Sequence, residues 1–190
     1  MNVYDFDKTV FLGESSSRFF LFCLKKHPKA LLTLPGTGLF ALFSALRLCS
    51  LTRFKAVFHR YLRFVPDAEA LAEAFWRVHA SDIPCWLPPL LPKGGLVISA
   101  SPEFLIAPMC RRLGLRYLGT RMDVHTGRIT GRNCRGEEKA RRFRECYPDE
   151  PVDAFYSDSL ADSPMAALSR EAWLVHGHDL RPWPKETQSG

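Results

Sequence analysis

Apolar and polar positions change rhythm several times along this chain. It opens on a short apolar run at residues 1–5, and a longer one, GGLVISAS, fills residues 94–101. Runs of this kind, bounded by glycine or small polar residues, are typical of parallel strands covered on both faces. PEFLIAPMCRRLG follows as a helix that Gly114 ends. LRYLGTRMDV and GRITG flank His125, Thr126 and Gly127 and predict a hairpin. GEEKARRFREC is amphipathic, with acid at its start and base later, as the helix dipole prefers. VDAFYSD is a third buried strand, ADSPMAALSRE a helix, AWLVH a fourth strand, and RPWPKETQSG a loose polar tail. Strands alternating with helices predict an α/β sheet.

Between the first two strands lie some eighty residues with no strand signal. From ESSSRFFLFCLKK to PDAEALAEAFWRVHA the pattern is helical, and the proline cluster IPCWLPPLLPKGG closes the segment. The expected organisation is a catalytic core of residues 1–11 and 88–190 and a helical cap of residues 12–87.

Composition adds one asymmetry. The 190 residues are 46% hydrophobic and 24% charged, a soluble globular balance, with a net charge of +6. Residues 15–66 hold nine Lys or Arg and no Asp or Glu, so the rest carries 17 basic residues against 20 acidic. The basic excess therefore belongs to the cap and predicts an anionic partner for it. Within it, residues 30–46 contain no charge. The run is short for a membrane span and is interrupted by Pro35 and Gly36. Two expectations stand beside each other: a helical hairpin buried in the cap, or an interfacial segment on an anionic membrane surface. Nucleic acid is not expected as a partner, since no binding motif accompanies the charge. The six cysteines form no CxxC pair and read as reduced, mostly buried thiols. Four residues before Asp5 leave no room for a signal peptide, so a cytoplasmic location is expected, with the inner membrane face as a peripheral site.

The chemistry gathers at strand ends. Asp5 and Asp7 follow the first strand, Ser99 follows LVI, Lys139 lies near a helix start, and Asp158 and Asp162 follow the third strand. In open α/β sheets ligands bind beyond the carboxyl ends of the strands. Two neighbouring carboxylates repel unless a cation or a reaction needs them. A carboxylate nucleophile, a hard-cation site, a hydroxyl and an ammonium suit phosphoryl transfer. Ser101 reads more readily as a helix cap before Pro102 than as part of this set, and His176 and His178 as strand-end polar residues.

DFDKT, VISAS, GEEK and YSDSLAD, in that order, resemble the four motifs of haloacid-dehalogenase-like phosphatases. The resemblance implies a Rossmann-like three-layer core with a helical cap inserted after the first strand. It implies an aspartyl-phosphate intermediate and Mg²⁺ as cofactor. Asp5 would be nucleophile and metal ligand, and Asp7 general acid/base with its carbonyl on the metal. Ser99 and Lys139 would bind the phosphoryl group. Asp158 would be a metal ligand, and Asp162 would support the site from behind. The cap position matches the subclass containing phosphoserine phosphatases, in which Glu14 would face the substrate; Asn133, near Lys139, is a further substrate candidate or shapes the loop. TGRNCRGEEK and YSDSLADSPM are similar to a narrower group that includes phosphatidylglycerophosphatase C-type enzymes. The implied substrate is a phosphate monoester, in first place one on a membrane lipid such as phosphatidylglycerophosphate. A soluble ester such as phosphoserine is the alternative, and a membrane-binding module with a vestigial site is a third.

Overall fold

A computed structural model describes residues 1–46, 48, 51–83, 91 and 94–184, leaving aside the side chains of 42–44, 51 and 52. Its centre is one six-stranded sheet: β1 (Val3–Tyr4), β2 (Leu96–Pro102), β3 (Arg116–Thr120), β4 (Val152–Ser157), β5 (Ser169–His176) and β6 (Asp179–Pro182). The spatial order is β3-β2-β1-β4-β5-β6, parallel throughout except that β6 runs antiparallel to β5. The shortest strand, β1, is thus central, with Val3 and Tyr4 in register with both β2 and β4.

Alternation along the strands splits the core in two. Val3, Leu96, Ile98 and Phe155 face a cluster completed by Ala140 and Phe143. Tyr4 and Val97 face the opposite cluster, shared with Phe19, Tyr61, Phe75 and Trp76. These last four come from the segment between β1 and β2. Among the described residues that segment holds no strand, only α1 (Ser15–Lys26), α2 (Leu34–Ala45), α3 (Leu51–Phe58), α4 (Ala68–His79) and short 3₁₀ turns. Helices α1 and α4 therefore share their apolar interior with the sheet instead of enclosing a separate one. Asp67 starts α4 by accepting the Ala70 amide at 2.8 Å.

The remaining helices are α5 (Glu103–Arg112), α6 (Glu137–Cys146) and α7 (Ser163–Ala166). Gly114 ends α5 as expected, at φ +69° with its amide on Arg111 O.

Four elements differ from the sequence pattern. The expected hairpin is there but short: its first arm, after Gly114, is mostly the parallel strand β3, and the reversal is closed by an antiparallel bridge between Met122 and Ile129, with the Asp123 amide on Arg128 O and the Thr130 amide on Arg121 O at 2.9 Å each. A ladder against β2 leaves too little chain for two antiparallel strands. The helix expected over 161–171 is one turn, because Ser169–Glu171 pair with β4. The tail is partly sheet: Arg181 and Pro182 belong to β6, and Trp183 packs on Phe155 with its amide on Ala172 O. The charge-free run is a 3₁₀ turn and one helix, not a buried hairpin. Pro35 is the second residue of α2, where its missing N–H costs nothing. Leu31, Leu32, Leu34, Leu39 and Leu46 are exposed, Leu32 to 72%.

Most of the proline cluster, at 84–90 and 92–93, lies outside the described residues, as do 185–190, Cys49 and Cys85. Cys23, Cys110 and Cys134 are buried and unbonded, and Cys146 is exposed. No described helix is long and apolar enough to cross a membrane.

Candidate active site

Three adjacent strands, β2, β1 and β4, end side by side, and the chain beyond them turns into one cleft of about 430 Å³. Asp5 and Asp7 enter from the turn after β1. There the Phe6 carbonyl accepts the amides of Val10 and Phe11 at 2.9 Å each. Ser99 comes from β2, Asp158 from the end of β4, and Lys139 from the first turn of α6.

Lys139 is buried to 1% exposure. Its ammonium donates to Asp5 Oδ1 at 2.7 Å and to Asp162 Oδ2 at 2.6 Å. Burial pulls a lysine toward neutrality, but here the two carboxylates outweigh it and hold Lys139 above its ordinary range. Asp162 also accepts Ser157 Oγ at 2.9 Å and the Gly136 amide at 3.1 Å. Its place is behind Lys139, fixing the ammonium toward Asp5. Burial pushes the Asp5 carboxyl up, against the pull of Lys139, and Asp162 adds to the rise.

Asp7 has different neighbours. Ser101 Oγ donates to its Oδ2 at 2.5 Å, and the amide of Ser15 donates to its Oδ1 at 2.7 Å. Ser15 is the first residue of α1, so Asp7 serves as an anion at that helix N-terminus. Burial nonetheless prevails over these bonds and pushes Asp7 up to about 6. Asp158 is also pushed up to about 6, first by burial and then by the neighbouring Asp5.

Ser99 is 1% exposed, and its Oγ accepts the Ser101 amide at 3.1 Å, which leaves its own proton for the cleft. Glu14 lines the cleft but is ion-paired to Lys8 at 2.6 Å. Asn133 lies just outside the lining, its Oδ1 accepting from Lys55 at 3.4 Å and Thr120 at 3.1 Å. His176 and His178 flank the exposed turn between β5 and β6.

Two residues escaped the sequence pattern. Ser101 is part of β2 and bonds Asp7; the residue before α5 is Pro102, with no side-chain cap. Serine two positions beyond Ser99 on one strand shares its face, and that was the available signal. Lys55 of α3 reaches the Ala100 carbonyl at 3.2 Å. Only the fold brings it there, because 44 residues separate it from Ser99.

The oxygen-only donor set of Asp5, Asp158 and nearby carbonyls fits a hard cation such as Mg²⁺, which needs only one or two carboxylates. Convergence of Asp158 on Asp5, which raises it, is the mark of such a place. No three His, Cys, Asp or Glu side chains among the described residues close into a metal group, so a site here would be completed by carbonyl, water and substrate oxygens.

Comparison with known proteins gives a family and a shared fold. The haloacid dehalogenase-like hydrolase family matches residues 3–167. Protein CicA of Caulobacter vibrioides is 35% identical over 127 residues, covering 55% of this chain and 52% of that protein. The probable phosphatase Rv3661 of Mycobacterium tuberculosis is 37% identical over 105 residues, 47% of this chain and 36% of that one. The chain spans about half, or less, of the length of these curated relatives. A Bordetella pertussis protein of unknown function shares the fold with TM-score 0.75 at 18% identity, covering 90% of this chain and 87% of that chain. A probable phosphoserine phosphatase of Vibrio cholerae gives TM-score 0.63 at 12% identity, covering 90% and 55%.

Proposed function

The chain belongs to the haloacid dehalogenase-like hydrolase family, and from that premise we propose that it is a Mg²⁺-dependent phosphatase acting on a phosphate monoester. The observation that carries the reading is the division of labour between two neighbouring aspartates. Asp5 is held by a buried ammonium at 2.7 Å, while Asp7 is held by a hydroxyl and a backbone amide and is pushed up to about 6.

Asp5 attacks phosphorus and forms an aspartyl phosphate as the alcohol departs. Asp7, in its protonated form, gives its proton to the leaving oxygen, then as carboxylate takes one from the water that cleaves the intermediate. Lys139 spends two donors on Asp5 and Asp162 and keeps one for a phosphoryl oxygen, where Ser99 adds its hydroxyl. Asp5, Asp158 and the Asp7 carbonyl would hold Mg²⁺, which when bound neutralises charge on the transferring group.

The helical segment between β1 and β2 acts in this reading as a cap. The favoured substrate is a lipid phosphate such as phosphatidylglycerophosphate, presented at an anionic membrane surface. Exposed leucines at 31, 32, 34, 39 and 46, on a segment without acids from 15 to 66, support it. Each leucine burying itself contributes at most about 1.5–3 kcal/mol, and each nearby Lys or Arg about 1 kcal/mol on anionic lipid. A soluble ester such as phosphoserine is the second reading, favoured by the fold shared with the Vibrio cholerae protein. Assaying lipid and soluble monoesters with Mg²⁺, against Asp5→Asn, tests both. Turnover that persists in a folded Asp5→Asn protein defeats the mechanism, and absence of lipid turnover gives the soluble reading the lead.

A further inference from the structure

Two cations beside the catalytic carboxylates are unused by the proposed chemistry. Lys55, on α3, lines the cleft with Arg135, which precedes α6. Lys55 meets only neutral acceptors, Ala100 O at 3.2 Å and Asn133 Oδ1 at 3.4 Å, and one of its three donors stays open. Among the described contacts the Arg135 guanidinium has no hydrogen-bond or ion-pair partner. Arg135 disfavours the Lys55 charge, after burial, while Asp7, Glu14 and Asp5 pull the other way. Among the described contacts Lys55 hydrogen-bonds none of these carboxylates, so it keeps a donor for an anion in the cleft.

We infer that Lys55 and Arg135 form a second anion subsite, taking a negative group that the substrate carries besides its scissile phosphate. The inference rests on the phosphatase reading and narrows its substrate class. Asn133 completes the subsite. Its Oδ1 is occupied by Lys55 and Thr120, which orients the amide and leaves its NH₂ as a further donor. Phe54 and Phe58 of α3 line the same cleft, so an apolar wall runs beside the cations. Arg135 also borders a neighbouring groove with Arg132 and Arg144, where Arg141 is paired with Glu138 and Glu145.

The same geometry discriminates between bis-anions. A substrate ammonium would have to displace Lys8 from Glu14, which lines the cleft and pairs with it at 2.6 Å. A phosphodiester meets the two cations without that requirement. The second anion is therefore a phosphodiester, or a carboxylate with no ammonium beside it.

The test compares three esters with Mg²⁺: butyl phosphate with one anionic group, phosphoserine, and glycerophosphoglycerophosphate with a phosphodiester. In the Lys55→Met/Arg135→Gln protein, KM for glycerophosphoglycerophosphate should rise about tenfold or more, as loss of charged hydrogen bonds dictates. The kcat should change much less, and the rise should exceed that for butyl phosphate severalfold. Arg135→Gln alone, at an exposed position, should show part of the effect, and Lys55→Arg should restore it. A second arm needs no turnover: titrating glycerophosphoglycerophosphate into Asp5→Asn protein, with and without the double change, should show about tenfold weaker binding. Discrimination in this arm without turnover in the wild type overturns the phosphatase reading and keeps the subsite. Equal losses for all three esters, with equal binding in the second arm, overturn the subsite and leave the phosphatase standing. A larger loss for phosphoserine than for the diester overturns the preference against an ammonium.

Discussion

Asp7→Asn separates what the site needs from what the fold prefers. In the native protein burial pushes Asp7 up to about 6 from 3.8, and that rise already includes the opposing bonds from Ser101 and Ser15. A group whose pKa is raised on folding favours the folded state fully below its unfolded value. That contribution is lost as pH climbs through the folded value. Between pH 4 and pH 8, Asp7 therefore changes from a neutral, well-bonded acid to a buried carboxylate costing about 3 kcal/mol at 1.36 kcal/mol per pKa unit. Asparagine has the same shape and no charge to bury. The variant should be more stable than wild type at pH 8 by up to about 3 kcal/mol, or roughly 6–12 °C in Tm for a chain of this size. The two should converge near pH 4. Urea unfolding in EDTA at both pH values measures the difference, with EDTA keeping divalent metal from contributing. Turnover of an alkyl phosphate should fall about 10²–10⁴-fold, and less for an aryl phosphate whose leaving group needs little protonation. A variant less stable than wild type at pH 8, or one whose gain is the same at pH 4, would refute the assignment of burial as the dominant influence on Asp7.

Other expectations follow from the same contacts. Lys139→Met strands Asp5 and Asp162, so it should cost about 3–5 kcal/mol at pH 8 and less at lower pH, where Asp5, which burial pushes up, regains a proton; a flat pH response in urea unfolding counts against the shared ammonium. EDTA should silence turnover and Mg²⁺ restore it, with Asp158→Ala raising the Mg²⁺ needed for half-maximal rate; an unchanged Mg²⁺ titration removes Asp158 from the metal. Leu32→Ser with Leu39→Ser changes side chains that are 72% and 50% exposed, so the fold should persist while sedimentation with anionic liposomes weakens. Wild-type protein that stays in the supernatant at low salt ends the membrane reading.

What could be seen in the sequence was whatever depended on neighbours along the chain. Val3–Tyr4, Leu96–Pro102 and Val152–Ser157 are apolar enough to declare themselves; Asp5, Asp7 and Asp158 follow two of them directly, Ser99 lies within the third, and Lys139 opens the amphipathic helix α6. The hidden parts were decided by pairing partners. Arg116–Thr120 looks like one arm of a hairpin until β2 claims it, and Ser169–Glu171 looks helical until β4 does. Asp179–Pro182 has no apolar alternation of its own and becomes a strand only by lying along β5. Lys55 was invisible as a site residue for a related reason. It belongs to a basic run that reads as surface charge, and only the packing of α3 over β2 turns it inward to Ala100.

The two aspartates of the first motif also show how the segment between β1 and β2 is tied to the chemistry. Asp5 is anchored by β4 and α6: its amide bonds Tyr156 O at 2.7 Å and its carboxyl bonds Lys139. Asp7 is anchored across a joint. One carboxylate oxygen is held by Ser101 of β2, the other by the first amide of α1, and Ser15 Oγ closes the triangle on Ser101 Oγ at 3.0 Å. A second strap lies nearby, where Asp82, just beyond α4, takes Arg18 at 2.5 Å and its carbonyl accepts the Leu12 amide at 3.2 Å. Gly127 adds a third contact, since a Cβ there would meet the His59 carbonyl at 1.9 Å. Any rotation of α1 away from β2 must therefore lengthen one of the two bonds on Asp7 before it disturbs Asp5. In the proposed mechanism the proton donor is thus placed jointly by α1 and β2 and the nucleophile by β4 and α6, and correct seating of α1 is a condition for protonating the leaving group.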